Sequence, residues 1–322
     1  MPRRLALSPG LAGLLDAQEQ VISRGQALES GFTRRAIDHQ LSTRQWQLVL
    51  PDVYLTHRGR VTRRQRLHAA LLYVGINASA LDGLTACHDI YDLDALPRDE
   101  RVYVVTHGEA TARSRDFVVV RRAVRPPTFF ENNGLTVVGV ATAVVAACRR
   151  IHDDRATLAS FSEVLQRRKA TYDALCLAHV AGPPRNAKPA DRALLALAAG
   201  VRSLPEADFR RLAEASPDMP SLVYNCLLRL PSGRLVSPDA LDPDSGVVHE
   251  TNGRRPHARE DLFEDMQERH DAMTAVGLTV LHNSPRRLQT HPRLVIDEFL
   301  QCSRRLAGRG LPPGVELVRI AA

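Results

Sequence analysis

Apolar positions near the start of the chain recur at helical spacing and are interrupted by polar or glycine residues. The leucine spacing predicts a first helix over about residues 10–20. A second helix is predicted to begin at Ser23, which has capping-box spacing with Gln26, and to end at Gly31. A third helix is predicted to follow Thr33, its N-cap, so that three short helices open the chain.

The pattern from the second helix onward is typical of a DNA-binding helix-turn-helix. Only residues 30–32 separate the second and third helices, and Ile37 and Leu41 lie one turn apart on the inward face of the third. Two β-like runs follow, at 46–50 and 52–57. We expect these runs to form the wing of a winged helix-turn-helix.

The middle of the chain, residues 76–195, alternates short apolar runs with helical stretches, which predicts an α/β domain. The runs at 101–107 and 116–123 are predicted strands, and 141–151 is a predicted helix. Residues 182–189 combine proline and glycine without apolar periodicity, which is typical of a linker. This region has no glycine-rich phosphate loop, no Ser-His-Asp signature and no metal-ligand spacing, so we assign it no chemistry.

The last third of the chain has a pattern that predicts the order α-β-β-β-α-β-α. Helices are expected to begin at Ser203 and to cover about 258–276 and 292–306, with a strand at 278–282 before the last helix. The three strand-like runs between the first two of these helices lie at 221–230, 233–241 and 245–253.

A length of 322 residues is enough for two or three domains, each with its own core. We therefore predict an α+β multidomain protein with a winged-helix DNA-binding domain at 1–75. The α/β middle domain is predicted to cover 76–195, and a restriction-endonuclease-like α-β-β-β-α-β domain is predicted at 196–322.

The positive charge of the chain is concentrated at one end. The formal net charge is +7, and residues 1–75 contain 11 arginines against five acidic residues, a net charge of +6. Residues 201–322 contain 16 basic and 17 acidic residues, a net charge of −1. A basic excess confined to one segment is typical of a surface that binds a polyanion such as DNA.

Cysteine usage and hydropathy favour a cytoplasmic protein without a membrane segment. The five cysteines are widely spaced and include no CxxC pair, which is typical neither of a disulfide framework nor of a zinc site. The longest apolar run, 135–148, is too short to span a bilayer. The N-terminal residues lack the continuous apolar core and the small-residue cleavage site of a signal peptide.

The outward positions of the predicted third helix carry side chains suited to DNA. These are Arg34, Arg35, Asp38 and His39, and arginine is well shaped for bidentate contact with guanine or phosphate. We expect backbone phosphate contacts from the arginines that follow, namely Arg44, Arg58, Arg63 and Arg64. The alternative is that these arginines only cover the outside of a small interaction domain.

This segment resembles the winged-helix N-terminus of abortive-infection (AbiEi-like) antitoxin proteins. The similarity lies in VISRGQALESGFTRRAI at 21–37, WQLVLPDVYLTH at 46–57 and TRRQRLHAALLYVG at 62–75. The resemblance implies that the domain binds DNA, often the promoter of its own operon. It also implies a cognate nucleotidyltransferase-like toxin as a partner.

Three carboxylates of the predicted C-terminal domain are candidate site residues because of their positions in its predicted elements. Glu206 lies in its first helix, Asp239 ends its second strand-like run, and Glu250 lies inside the third. With the predicted element order, these positions resemble the PD-(D/E)XK nucleases, and more narrowly the branch related to very-short-patch repair endonucleases. Proteins of actinobacterial AbiEi-like type carry such a tail.

The resemblance implies a metal-dependent phosphodiesterase site. Phosphodiester hydrolysis uses divalent ions that polarise the phosphate and lower the pKa of the attacking water. Mg²⁺ takes oxygen ligands, commonly one or two carboxylates with water completing the shell. Asp239 and Glu250 are predicted to lie on adjacent antiparallel strands and to hold Mg²⁺ or Mn²⁺ if the site is active.

Asn252 departs from the family pattern, which has a lysine at this position, or an aspartate in the nearest relatives. Asparagine is neutral and cannot act as a base, and the chain has no lysine beyond Lys188. His257 is the candidate proton carrier in its place. Arg254 and Arg255 are candidate phosphate contacts. Polar residues of the next helix, Asp265, Arg269 and His270, are expected beside the site.

Each carboxylate also has a purely structural interpretation. Glu206 has capping-box spacing with Ser203 and would then only close a helix start. Asp239 would be one of several turn acids near Pro238. Glu250, inside an apolar strand, would be the relic of a nuclease ancestor, paired with Arg254 or Arg269.

The sequence therefore supports three hypotheses. The first is a DNA-binding regulator of the antitoxin type that retains a nuclease-like tail, active or inactive. The second is a Mg²⁺- or Mn²⁺-dependent DNA endonuclease that its winged helix directs to a target. The third is a protein-interaction module whose basic helix meets an acidic partner. The target DNA sequence and the oligomeric state do not follow from the sequence.

Overall fold

The computed structural model describes residues 9–107, 113–123, 125–251 and 260–318. The chain is α+β and divides into two compact units, Met1–Leu194 (unit 1) and Leu195–Ala322 (unit 2). Within the described ranges, every helix is too short or too polar to cross a lipid bilayer.

The N-terminal part of unit 1 packs three helices against a small antiparallel sheet of order β1-β3-β2. Phe32, Trp46 and Tyr54 pack as neighbouring aromatic rings in its core, where Ile37 is fully buried. The elements are α1 (Pro9–Ala17), β1 (Val21–Ser23), α2 (Arg24–Glu29), α3 (Arg34–Ser42), β2 (Gln47–Leu50) and β3 (Val53–Leu55).

Local capping signals set the starts of α2 and α3 as predicted. The Ser23 side chain accepts from the Gln26 backbone N–H, and the Gln26 side chain accepts from the Ser23 N–H, which completes a capping box. The Thr33 side chain accepts from the backbone N–H of Ala36 at the start of α3. The prediction of a first helix to residue 20 was wrong at its end, because Gln20 has a positive φ and leads into β1.

The rest of unit 1 contains a five-stranded mixed sheet of order β6-β5-β4-β8-β7. Helix α4 packs against strands of this sheet and of the small N-terminal sheet. The strands are β4 (Ser79–Leu81), β5 (Val102–Thr106), β6 (Val118–Arg122), β7 (Phe129–Asn132) and β8 (Leu135–Val138). The helices are α4 (Arg63–Val74), α5 (Gly83–Thr85) with a π-helical turn at Ala86–Ile90, α6 (Val140–Ile151), α7 (Asp154–Gln166), α8 (Tyr172–Ala181) and α9 (Lys188–Ala198), which crosses the unit boundary.

Unit 2 is built on a four-stranded sheet of order β14-β13-β12-β9, in which β13 and β14 are parallel and the other pairs antiparallel. A second sheet has the order β11-β10-β15. The strands are β9 (Val223–Tyr224), β10 (Leu227–Arg229), β11 (Leu235–Val236), β12 (Ala240–Asp242), β13 (Val247–Thr251), β14 (Thr279–Asn283) and β15 (Glu316–Val318). The helices are α10 (Leu204–Glu214), α11 (Glu260–Ala275), α12 (Pro285–Thr290) and α13 (Pro292–Leu306).

Both faces of the four-stranded sheet are covered. On one face Ala240 and Val247 pack with α10, α12 and α13, where Phe299 is fully buried. On the other face Val248 packs with Met273 of α11 and with residues of the second sheet. Strand β13 is therefore central and excluded from water. A polar side chain on this strand needs hydrogen-bond partners inside unit 2.

The element order predicted for this region was wrong in two places. The predicted strands 221–230 and 233–241 each divide into two strands that belong to different sheets. Asn225 has φ 49° and breaks the first run, since a left-handed residue interrupts an extended strand. Pro238 separates β11 from β12 and has no N–H to donate to a sheet.

Candidate functional site

Four polar residues occupy one register position across the four-stranded sheet of unit 2. Glu250 of β13 is paired with His282 of β14. On the other side Ala240 of β12 is paired with both His249 and Tyr224, so the next position aligns Glu250 with Asp239 and Asn225. The backbone N–H of Asn225 donates to the Asp239 carbonyl at 3.1 Å. We call Asn225, Asp239, Glu250 and His282 the polar row.

Glu250 is the most buried member of the polar row, with 1% of its surface exposed. Its Oε2 accepts from Arg269 Nη2 of α11 at 2.5 Å, whereas Oε1 has no hydrogen-bond partner in the described part of the chain. Burial and the neighbouring Asp239 charge raise the pKa of Glu250 to about 7, although Arg269 acts in the opposite direction. The pairing with Arg269 predicted as one alternative is therefore present, and it leaves half of the carboxylate unsatisfied.

The Asp239 carboxylate accepts hydrogen bonds from a residue of the neighbouring strand and not from residues of its own turn. Its Oδ2 accepts from the Thr251 backbone N–H at 2.7 Å and from the Thr251 hydroxyl. The turn that follows β12 is organised by Asp242 instead, which accepts from Ser245. Burial raises the pKa of Asp239, and the hydrogen bonds from Thr251 partly oppose that shift.

Glu206 closes the start of α10 and also lies near the polar row. Its carboxylate accepts from the Ser203 hydroxyl at 2.8 Å and from the Arg202 N–H at 3.0 Å, so it lies at the helix start, but it accepts from the N–H of Arg202 and not from that of Ser203 as a capping box would require. It also accepts from Asn225 Nδ2 at 3.2 Å. Burial, and then the Asp239 charge, raise the pKa of Glu206.

Two histidines meet at the other end of the polar row. His270 Nδ1 of α11 lies within hydrogen-bonding distance of His282 Nε2, and the ring centroids are 4.3 Å apart. Such a contact requires one nitrogen to carry the proton and the other to accept it. Burial lowers the pKa of His282, and His270 adds to this shift.

The sequence patterns missed Asn225 and His282. Asn225 lies within a predicted strand, and His282 ends one, so neither position carried a local signal. Only the cross-strand register places them beside Asp239 and Glu250. Asn252, Arg254, Arg255 and His257 lie outside the described residues, as does the side chain of Asp265, so the expectations for these residues stay predictions.

The carboxylates of Asp239 and Glu250 are candidate oxygen ligands for a divalent cation. The Asp239 charge raises the pKa of Glu250, and Glu250 Oε1 is buried without a hydrogen-bond partner among the described residues. Over the residues that are described, no three histidine, cysteine or acidic side chains are arranged to hold a metal ion. Two carboxylates satisfy the requirement of Mg²⁺, which completes its shell with water and other oxygens.

The outward face of α3 in unit 1 is a second candidate site. Arg34, Arg35 and His39 are exposed, while Ile37 on the opposite face is fully buried. Neither arginine side chain has an ion-pair or hydrogen-bond partner within the described ranges. Arg44 is also exposed just beyond α3.

Three other arginines predicted to bind phosphate are already engaged inside unit 1. Arg63 donates to both carboxylate oxygens of Asp89, at 3.0 and 2.8 Å, and to the Glu100 carbonyl at 2.6 Å. Arg64 pairs with Glu19 at 3.1 Å, and Arg58, although exposed, donates to the Thr43 carbonyl at 3.2 Å. These contacts leave Arg63 and Arg64 out of the DNA surface proposed below.

No model of a known protein family matches this chain, and no curated protein matches it. The resemblances to AbiEi-like antitoxins and to PD-(D/E)XK nucleases therefore stay predictions.

Proposed function

We propose that the protein is a DNA-binding regulator of the antitoxin type that contacts DNA through α3. The observation that carries the proposal is the pair of exposed guanidinium groups of Arg34 and Arg35 in the first turn of this helix, which have no partner among the residues that the structure describes. Arginines left in water without a protein partner are free to bind phosphate or guanine. The net charge of +6 over residues 1–75 supplies the long-range attraction.

The proposal extends to its partners as the AbiEi resemblance implies them. The bound DNA would include the promoter of the protein's own operon, and a nucleotidyltransferase-like toxin would be the cognate partner. His39 and Arg44 flank the two arginines and would contact bases or backbone beside them.

The test is the affinity for a labelled DNA duplex at low salt, measured by fluorescence anisotropy. Arg34→Ala combined with Arg35→Ala should weaken binding at least about tenfold, since each guanidinium contact contributes about 1–3 kcal/mol. The matched control is Arg286→Ala with Arg293→Ala, which removes the same charge from exposed positions of unit 2. Equal affinities of both double variants would contradict the proposal, and failure of the wild type to bind would favour a protein-interaction module.

The polar row supports a second candidate function, metal-dependent hydrolysis of DNA by unit 2. The specific observation is the buried Glu250 Oε1, which has no donor within the described ranges, together with the nearby charge of Asp239. Asp239 and Glu250 would hold Mg²⁺ or Mn²⁺, which when bound polarises a phosphate and acidifies a water molecule. Thr251 orients Asp239 and Arg269 orients Glu250, so both carboxylates are fixed before the ion arrives.

A cleavage assay separates this function from a purely regulatory one. Supercoiled plasmid is incubated with Mn²⁺ or with chelator and the wild type, Asp239→Asn or Glu250→Gln. Nicking that requires Mn²⁺ and is lost in both variants would support the hydrolase. The control Asp297→Asn removes an exposed carboxylate from α13 and should cut like the wild type. If the wild type does not cut the plasmid, the proposed DNA hydrolase function of unit 2 is contradicted.

A further inference from the structure

Asp38 lies in the middle of the outward face of α3. At about 3.6 residues per helical turn, its side chain projects about 40° from that of Arg34 and about 60° from that of Arg35, between the two. All three side chains are exposed, whereas Ile37 is fully buried in the core. A ligand surface that meets both arginines of α3 therefore also meets a carboxylate.

The Asp38 carboxylate has no ion-pair or hydrogen-bond partner among the residues that the structure describes. Arg34 and Arg35 precede it by four and three positions, a spacing at which ion pairs form on a helix, yet neither pairs with it. Arg24 of α2 pairs with Asp52 instead, at 3.6 Å. The carboxylate and both guanidinium groups of α3 are thus available to a ligand at the same time.

A carboxylate at this place restricts which part of DNA it can contact. Each phosphate is negatively charged, so a contact between Asp38 and the DNA backbone would be repulsive. An amino group on a base edge would instead donate a hydrogen bond to the carboxylate. The position of Asp38 on this face is therefore suited to base edges and not to the backbone.

The major groove presents amino groups from cytosine and adenine, and cytosine fits a carboxylate better. Cytosine presents its N4 amine alone, whereas the N6 amine of adenine lies beside the N7 acceptor, which repels a carboxylate oxygen. The acceptors of guanine and thymine repel it as well. The guanine paired with that cytosine presents two acceptors that suit an arginine, so one C·G pair matches both kinds of side chain on this face.

We propose that Asp38 makes α3 select cytosine at one position of its DNA target, by accepting a hydrogen bond from the N4 amine in the major groove. This inference rests on the DNA binding by α3 proposed above and adds a base preference to it. Arg34 and Arg35 supply affinity through guanine or phosphate, whereas Asp38 decides which base is accepted.

The test is the selection of bound sequences from a duplex library with a randomised centre, by the full-length wild type, Asp38→Asn and Asp38→Ala. The wild type should enrich duplexes with cytosine at one fixed position. Asp38→Asn should change this preference to adenine, because a side-chain amide pairs with adenine N6 and N7. Asp38→Ala should lose the preference, and both variants should keep the wild-type preference at every other position.

Anisotropy titrations measure the size of the effect on the selected duplex and on the same duplex with the C·G pair replaced by A·T. The wild type should prefer the C·G duplex roughly tenfold, Asp38→Asn should prefer the A·T duplex, and Asp38→Ala should bind both equally. The matched control is Asp16→Asn, which removes an exposed carboxylate from α1 and should keep the wild-type preference. Fluorescence of Trp46, a core residue of unit 1, checks that each variant is folded.

The other outcomes separate this inference from the function on which it rests. If Asp38 only repels DNA, both Asp38 variants bind every duplex more tightly and keep the wild-type preference, which would overturn the inference while the DNA binding stands. The same conclusion follows if the wild type binds DNA without preferring cytosine at any position. If the wild type binds no duplex, the proposed DNA binding fails and the inference fails with it.

Discussion

The candidate site of unit 1 has exposed cations, whereas the candidate site of unit 2 has carboxylates that are largely buried. On α3 of unit 1, Arg34 and Arg35 are exposed and have no partner in the part of the chain that the structure describes. In unit 2, Asp239 and Glu250 are largely withdrawn from water and depend on Thr251 and Arg269. An exposed cation costs almost nothing while it has no ligand, whereas a buried anion destabilises the fold until its charge is balanced. The difference predicts that substitutions on α3 affect binding alone, while substitutions in the polar row affect both stability and binding.

The largest expected effect is the acid sensitivity that His249 gives to unit 2. His249 is fully buried and stacks on Phe209 with ring centroids 3.5 Å apart, and burial lowers its pKa to about 3. Between pH 6.5 and 3 the unfolded chain binds a proton that the folded chain does not, so this residue destabilises unit 2 as the pH falls. The stability advantage of His249→Leu over the wild type should therefore grow by about 1.4 kcal/mol for each unit by which the pH falls from 6.5 to 3.

The measurement is urea unfolding at several pH values, followed by hydrogen exchange of unit 2 peptides. The comparison with wild type at each pH removes the contributions of all other groups. A stability difference between His249→Leu and wild type that does not change with pH would contradict the prediction.

Glu250 should show a smaller effect of opposite sign. Its pKa is raised from 4.5 to about 7, so the folded state binds the proton more tightly and loses stability as the pH rises through this range. Glu250→Gln stays neutral, and without added metal it should exceed the wild type by roughly 1–3 kcal/mol at pH 8. The same unfolding measurement applies. A variant less stable than the wild type at pH 8 would show that the Arg269 pairing outweighs the burial of charge.

The smallest effects distinguish arginines inside unit 1. Arg63→Ala should destabilise unit 1 by about 1–2 kcal/mol, because it breaks a bidentate pair with Asp89 and a bond to the Glu100 carbonyl. Arg34→Ala should change stability by less than about 0.5 kcal/mol, since its side chain is exposed. Urea unfolding followed by the fluorescence of Trp46, the single tryptophan and a core residue of unit 1, reports both values. Equal losses of unfolding free energy in Arg63→Ala and Arg34→Ala would contradict this prediction.

Local signals were enough to predict the N-terminal helices. The partners of individual arginines depend on contacts between residues distant in sequence, so the sequence did not show them. The caps at Ser23 and Thr33 depend on residues three positions away, so their patterns were sufficient. The sequence could not separate Arg34 from Arg63, because Asp89, the partner of Arg63, lies 26 residues further along the chain.

The same limit applies to the candidate site in unit 2. The adjacency of Asp239 and Glu250 was predictable from two neighbouring strands. The places of Asn225 and His282 were not, because they follow from the register of strands that are distant in sequence. The division of the run 221–230 between two sheets depends on packing that a pattern of apolar residues does not specify.

The most direct test of the central claim, that α3 binds DNA phosphates, is the salt dependence of DNA affinity. Anisotropy titrations over a range of salt concentrations give the slope of log K against log salt for the wild type, Arg34→Ala with Arg35→Ala, and Arg286→Ala with Arg293→Ala. We predict a slope shallower by roughly two for the α3 variant, since each lost phosphate contact removes about 0.9, and an unchanged slope for the unit 2 variant. Parallel slopes for all three proteins would contradict it.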